Sequence, residues 1–343
     1  MFVSSFKYYK SQNPQPSFKD VVIIGDDHPN LQPVCCTQNH EAGFPGFYPP
    51  VNWKIYRVVS RPGLLVIANP FTVAGQRYWM TRSVVDFPVH PNTINIIKHK
   101  KVDSNRREDC KDTIVGSWWE ILQSFSDTSE RRSFAKTLRW TTLGYQYDWT
   151  NKVYDEAKKE EFPPDLAQMV RFIAATIGYA LFSPEAAIVN FYPVGSTLAG
   201  HTDHSEDDLS APLFSLSFGQ PAIFLIGGTD RLEQPDAILL RSGDIVVMTG
   251  ASRHCYHAVP RICTLSDLRS VGIDCGNERW EKSENAGSLA QSDVAANNQP
   301  YGVQTNVSWK LLEEYIERSR ININVRQVLA QNQVSLQRSV KCD

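Results

Sequence analysis

The most constraining stretch of this 343-residue chain lies near its end, "SRININVRQVL", residues 319 to 329. Arg320, Asn322, Asn324 and Arg326 alternate there with Ile321, Ile323 and Val325. Side chains on a strand point alternately to opposite faces, so the pattern predicts a strand with one aliphatic face and one face of guanidiniums and amides. The aliphatic face must meet a core. The polar face can lie in water, pair with acids of the chain such as Asp203, or wrap a bound anion. Burying two arginines there without anionic partners would be expensive.

Such a strand needs neighbours, and the sequence supplies them. From about residue 186 short β-type runs follow one another between turn residues: "AAIVNFY", "TLAGH", "LFSLSF", "AIFLIGG", "AILL", "DIVVM", "YHAV" and "RININVRQVL". Phe214, Leu216 and Phe218 repeat at period two. Eight short strands with glycine turns predict a sandwich or jelly roll. Upstream, "GLLVIANPF" (63 to 71) reads as a strand entering a turn, and "TVAGQRYWMTRSVVDF" has helical spacing. Residues 98 to 139 contain helical segments around Trp118 and Trp119. Leu166, Met169, Val170, Ile173 and Ile177 fall on one helical face, with Pro163 and Pro164 at its start and Gly178 as its stop. Trp309, Leu312, Tyr315 and Ile316 mark a later amphipathic helix. The expected class is α+β, with helices flanking the strands. Residues 1–60 form an N-terminal extension packing on the core, 61–330 the domain, 276–306 a polar loop insertion and 331–343 a tail. The opening "MFVSSFKYYKSQ" is basic and acid-free; an aromatic helix packing on the domain is preferred over a targeting segment.

Composition narrows the partners. With 42% apolar and 21% charged residues the chain is ordinarily globular, and a net charge of −2 excludes a uniformly basic nucleic-acid coat. Phosphate contact would have to come from local clusters, Lys98, Lys100, Lys101, Arg106 and Arg107, or Arg131, Arg132, Lys136 and Arg139. Their plain alternative is a solvated helix face. Seven cysteines without a CxxC pair fit a reducing, intracellular compartment, and the apolar runs are too short to span a bilayer.

The chemistry points to "NFYPVGSTLAGHTDHSEDDLS", residues 190 to 210. His201 and Asp203, at i and i+2 on a strand end, present an imidazole and a carboxylate to the same side. His257, in "YHAVPR", arrives several strands later, as a barrel that gathers strand ends would allow. Two histidines and one carboxylate on a single face suit an octahedral iron(II) ion with three open positions. His204 is out of phase and His254 falls three residues before His257, so both read as ordinary polar histidines. Glu206, Asp207 and Asp208 are expected to face solvent beyond the rim.

With these residues together, the sequence resembles the AlkB family of iron(II)- and 2-oxoglutarate-dependent dioxygenases, nearest the branch called AlkB homologue one. The likeness runs from about residue 60 to 330 and is densest in "NFYPVGSTLAGHTD", "SFGQPAIFLIGG", "SGDIVVMTGASR", "HAVPR" and "RININVRQVL". "FKYYK" is similar to that branch's N-terminal helix. The resemblance implies a double-stranded β-helix (jelly-roll) core in which His201, Asp203 and His257 are iron ligands. It implies that Asn190 and Tyr192 hydrogen-bond 2-oxoglutarate, that Arg320 meets its distal carboxylate, and that Asn322 and Arg326 complete the set. Asn324 replaces the family's usual threonine. "RWTTLGYQYDW" matches the base-handling strand and lid, which makes Trp140, Tyr145 and Tyr147 candidates for shaping a pocket around an extruded base. Ser205 stands where the bacterial founder has a second acid, so the founder's preference for simple alkylated bases does not transfer.

The implied reaction uses oxygen and 2-oxoglutarate to hydroxylate a methyl group on nitrogen, releasing succinate, carbon dioxide and then formaldehyde. Implied substrates are N6-methyladenine in unpaired or bubbled DNA and 1-methyladenine in transfer RNA. The resemblance further implies a monomer in the nucleus, the mitochondrion or the cytoplasm. Two alternatives share these residues: a protein (histone) demethylase or hydroxylase with the same iron centre, and a metal-bound module that binds nucleic acid without turnover. The complete set of ligands and arginines weighs against the second.

Overall fold

A computed structural model describes residues 1–36, 43–96, 117–273 and 308–336. In chain order the strands are β1 (Val21–Ile23), β2 (Leu31–Val34), β3 (Lys54–Val58), β4 (Leu64–Ala68), β5 (Thr93–Ile94), β6 (Trp140–Asp148), β7 (Val153–Lys159) and β8 (Ala186–Pro193). They continue with β9 (Leu198–His201), β10 (Leu213–Gly219), β11 (Ala222–Ile226), β12 (Asp236–Leu240), β13 (Ile245–Met248), β14 (His257–Ile262) and β15 (Ser319–Arg326). A smaller sheet runs β1-β12-β11-β14-β9, and a larger one runs β2-β3-β4-β13-β10-β15-β8-β6-β5, with β7 paired to β6. From β8 onward the chain passes back and forth between the two sheets, except for the antiparallel β11–β12 pair within the smaller one, which is the jelly-roll arrangement expected from sequence.

The arginine–asparagine strand lies deep in the larger sheet. β15 pairs antiparallel with β10 on one side and β8 on the other, which places Arg320 opposite Tyr192 and Asn322 opposite Asn190. Its alternation decides the layering. Ile321, Ile323 and Val325 turn outward into a core shared with Leu166, Met169, Val170 and Ile173 of the helix Pro164–Thr176 and with Leu312 and Ile316 of the helix Trp309–Ile316. Those four residues of the first helix are fully buried, each contributing roughly 1.5–3 kcal/mol of transfer free energy. Pro164 sits at the first helical position, where its missing N–H loses nothing, and Gly178 ends the segment at φ 93°. Asp165 in the first turn accepts from Arg82 Nε (2.7 Å) and the Tyr78 hydroxyl (2.8 Å), fastening this helix to the distant helical segment that begins at Val73.

A second core fills the space between the sheets, with Val66, Tyr192, Leu213 and Val246 from the larger sheet meeting Phe224, Ile226, Ile238 and Val259 from the smaller. The polar face of β15 looks into this inter-sheet space.

The first residues are woven into both sheets. Helix α1 (Phe2–Lys10) covers the outer face of the smaller sheet, β1 extends that sheet parallel to β12, and β2 and β3 extend the larger one. The Phe2 ring lies where a Cβ at Gly200 or Gly227 would come within 2.7 and 2.8 Å, so only glycine fits behind the end of β9. The basic cluster Lys98 to Arg107 and the polar stretch 276–306 lie outside the described residues. No helix among the described residues is long and apolar enough to cross a membrane.

Candidate metal centre

β9 and β14 are antiparallel neighbours at one end of the smaller sheet, and their register sets His201 directly opposite His257. The two rings stand 4.4 Å apart. β9 ends at His201, and the chain turns so that Asp203 swings back beneath both. Asp203 Oδ2 is 3.7 Å from His257 Nε2, and Oδ1 is 4.0 Å from His201 Nε2. One donor atom from each of the three lies within 4.8 Å of the others, the only such group among the described residues.

Each imidazole is aimed by its remote nitrogen. His201 Nδ1 is 3.0 Å from the Ala199 carbonyl, and His257 Nδ1 is 3.1 Å from the Cys255 carbonyl. A carbonyl can only accept, so both rings carry their proton on Nδ1 and turn the Nε2 lone pair to the centre. Burial, and then the neighbouring His201, lower the His257 pKa to about 4, so the ring is neutral at ordinary pH. Burial alone would raise Asp203, but Arg326, His257 and His201 outweigh it and hold the carboxyl well below its usual range. Two imidazoles and one carboxylate converging from one side are the donor set of an iron(II) site with open positions.

The inter-sheet face of β8 and β15 supplies the neighbouring pocket. Arg320 is 2% exposed. It donates from Nη2 to Ser217 Oγ (2.7 Å) and from Nη1 to the Gln220 carbonyl (3.4 Å), while its Nε meets no acceptor. Burial lowers its pKa to about 10. Beside it, the buried Tyr192 hydroxyl also has no partner. A buried guanidinium with a free Nε and no carboxylate in contact, beside a buried hydroxyl without a partner, fits a carboxylate-bearing ligand, which would engage both. Asn322 donates to Ser215 Oγ (2.8 Å) and the Leu216 carbonyl (3.1 Å), and half-buried Asn190 lies opposite it on β8.

Arg326 differs. Its Nη2 is 3.2 Å from Asp203 Oδ1 and its Nε 3.0 Å from Glu206 Oε1. Burial would lower its pKa, yet Asp203, Tyr154 and Glu206 hold it charged. Glu206 therefore does not face solvent as the sequence suggested. Its side chain is 2% exposed, because the loop after Asp203 folds inward toward Arg326 and Arg253 while Asp207 stays outside. His204 is exposed, and His254 sits exposed in the short 3-10 turn Gly250–His254 before β14.

The base-handling candidates separate. β6 pairs with β8 so that Trp140 lies opposite Asn190. Trp140 is half-buried, its ring 5.1 Å from Trp149, which also stands 4.9 Å from Tyr147. Trp149, 44% exposed, was missed because it falls after the strand in a turn. Tyr145 must be withdrawn as a stacking surface. It is fully buried among Tyr154, Ala186, Val328 and Leu329, with its hydroxyl donating to Glu156 (2.8 Å) and accepting from Lys159 Nζ (3.0 Å). Ser205 donates to the Lys152 carbonyl (2.9 Å) and lies 3.2 Å from the Tyr147 hydroxyl, so it ties the metal-bearing loop to the β6–β7 hairpin.

Comparison with known proteins agrees with this geometry. The model of the 2OG-Fe(II) oxygenase superfamily matches residues 63–326. The chain is 38% identical over 327 residues to nucleic acid dioxygenase ALKBH1 of Mus musculus, covering 94% of this chain and 77% of the mouse protein. It is 33% identical to DNA N(6)-methyladenine demethylase ALKBH1A of Arabidopsis thaliana, over 80% of this chain and 77% of that protein. It is also 33% identical to tRNA demethylase abh1 of Schizosaccharomyces pombe, over 80% of this chain and 82% of that one.

Proposed function

The chain belongs to the 2OG-Fe(II) oxygenase superfamily, within its AlkB family, and from that premise we propose that it demethylates adenine bases in unpaired or flipped-out positions of DNA or transfer RNA. The carrying observation is a juxtaposition. His201, Asp203 and His257 converge on the same inter-sheet side as the Arg320–Tyr192 pair. The aromatic group Trp140, Tyr147 and exposed Trp149 joins them through Tyr147, 3.2 Å from Ser205 of the metal-bearing loop, and Trp140, opposite Asn190. Relatives named for DNA and for transfer RNA demethylation support both polymers as substrates.

When bound, iron(II) and 2-oxoglutarate supply, with oxygen, the oxidising chemistry that hydroxylates a methyl C–H bond. His201, Asp203 and His257 would hold the metal, and Arg320 with the Tyr192 hydroxyl would orient the co-substrate's distal carboxylate. The flat faces of Trp149, Trp140 and Tyr147 offer a stacking surface that accepts any unstacked base. No side-chain nucleophile is required, since the hydroxymethyl group on nitrogen releases formaldehyde by itself.

The test loads purified protein and His201→Ala with ferrous iron, 2-oxoglutarate and oxygen. The substrates are methylated bubble DNA, methylated transfer RNA and methylated histone peptide. Succinate and substrate mass are read by mass spectrometry. Demethylation of a nucleic acid, lost in His201→Ala, is the expected result. Demethylation of the peptide alone would transfer the activity to protein, and absence of succinate from metal-loaded protein would leave a binding module.

A further inference from the structure

Asp203 does not meet its surroundings alone. Four buried side chains form one closed network behind it. Glu206 uses both carboxylate oxygens: Oε2 accepts from Arg253 Nη2 at 2.8 Å, while Oε1 takes Arg326 Nε at 3.0 Å and the Tyr154 hydroxyl at 3.3 Å. Arg253 also donates from Nη1 to the backbone carbonyl of Asp203 at 2.9 Å. Arg326 reaches Asp203 with Nη2 alone, at 3.2 Å from Oδ1. The side chains of Glu206, Arg253 and Arg326 are 2%, 2% and 5% exposed. Two carboxylates and two guanidiniums balance one another in charge.

The geometry points to Glu206 and Arg253 as positioning residues for the metal-binding carboxylate. A guanidinium left to itself grips a carboxylate side-on, with two parallel N–H donors on its two oxygens. Arg326 does not do this to Asp203, because its Nε is committed to Glu206 and its Nη1 donates to the Asn324 carbonyl at 3.3 Å. Oδ1 is therefore anchored by one bond, and Oδ2 stays turned toward His257 Nε2. Arg253 completes the device by fixing the backbone of residue 203 and the carboxylate of residue 206 with one fork. The substitution Glu206→Gln would leave an acceptor for only one of the two arginines and turn an amide N–H₂ toward the other. Arg326 would then be released to take both oxygens of Asp203, in competition with the metal. The inference rests on reading His201, Asp203 and His257 as metal ligands, and it does not depend on the substrate.

The test measures cobalt(II) binding to full-length, metal-stripped protein by calorimetry, together with the visible absorption of the cobalt complex. It compares the parent, Glu206→Gln and Arg253→Lys. The expected result is a roughly 10–100-fold weaker cobalt affinity in both variants, the range for supports of metal ligands, with an altered visible spectrum. Circular dichroism should report a folded chain. Folded variants that bind cobalt with parental affinity and spectrum would overturn the proposal. If Glu206→Gln fails to fold, Arg253→Lys decides alone, since it keeps the charge and the buried stem but not the fork. A parent that binds no cobalt would instead defeat the metal-site reading itself.

Discussion

Arg320 and Arg326 lie on the same face of one strand, yet Arg326 is paired with two carboxylates while Arg320, among the described residues, forms no ion pair. The difference follows from where β15 runs. Its C-terminal end passes under the loop that carries Asp203 and Glu206, and its N-terminal end passes beside Tyr192, where the neighbours are a serine hydroxyl and a backbone carbonyl. One arginine is part of the protein's own charge balance. The other is held in reserve for a ligand.

Replacing Arg320 by methionine should therefore move one measurement and leave another in place. Losing the partner of a buried carboxylate costs about 2–5 kcal/mol, so 2-oxoglutarate binding should weaken by roughly 30- to several-thousand-fold. Removing a buried charge that no carboxylate contacts directly should leave the metal-free protein about as stable as the parent. Calorimetric titration with 2-oxoglutarate and thermal melting without metal check the two halves. A variant that melts several degrees lower while still binding the co-substrate would show that Arg320 serves the fold.

Trp149→Ala should weaken binding of methylated single-stranded DNA by about 1–3 kcal/mol, the usual worth of one base–aromatic stack. The affinity for 2-oxoglutarate should not move, since Trp149 lies on the hairpin side of Trp140. Fluorescence anisotropy with a labelled oligonucleotide reads the first quantity and calorimetry the second. Unchanged oligonucleotide affinity would remove Trp149 from the substrate surface.

Tyr145→Phe provides the contrast. The lost hydroxyl leaves Glu156 short of a donor inside the hairpin, at a cost of about 1–3 kcal/mol in stability. Oligonucleotide affinity measured on the folded variant should match the parent. A selective loss of nucleic-acid binding with parental stability would return Tyr145 to the substrate list.

These residues also mark how far the sequence could be read. Period two in "RININVR" predicted the β15 faces correctly, because alternation is a local property of any strand. The eight-strand run and the His–Asp pair with a returning histidine were legible for the same reason, since each depends on strand geometry. The reading failed where the chain leaves a strand. Glu206 looked like part of a solvated acidic run, and no periodicity survives past His201 to say that it turns inward while Asp207 turns out. Arg253 was hidden likewise in the 3-10 turn between β13 and β14. Tyr145 and Tyr147 share a strand face by spacing and pack in one cluster with Tyr154, but only Tyr147, nearer the end of β6, also meets Trp149, and spacing alone does not say how deep each ring lies.

The pH dependence of the metal-free protein follows from His257. Its folded pKa is about 4, lowered first by burial and then by His201, against roughly 6.5 in an unfolded chain. The folded value is the lower one, so the unfolded state binds more protons between these limits, and stability rises with pH across that window. The His257 contribution should be fully present above pH about 6.5 and lost as the pH falls to about 4. The total is on the order of 3 kcal/mol, at about 1.36 kcal/mol per unit. Asp203, whose folded pKa is also depressed, adds a second loss only below its unfolded value of roughly 3.9. Chemical denaturation of the metal-free parent and of His257→Gln, at several pH values from about 7.5 to about 4, isolates the first step, since glutamine carries no titrating group. The stability difference between the two should shift by about 3 kcal/mol against the parent over that range. A difference that stays constant from neutrality to pH about 4 would mean that His257 keeps an ordinary pKa in the fold, and that the buried imidazole is not held neutral in advance of the metal.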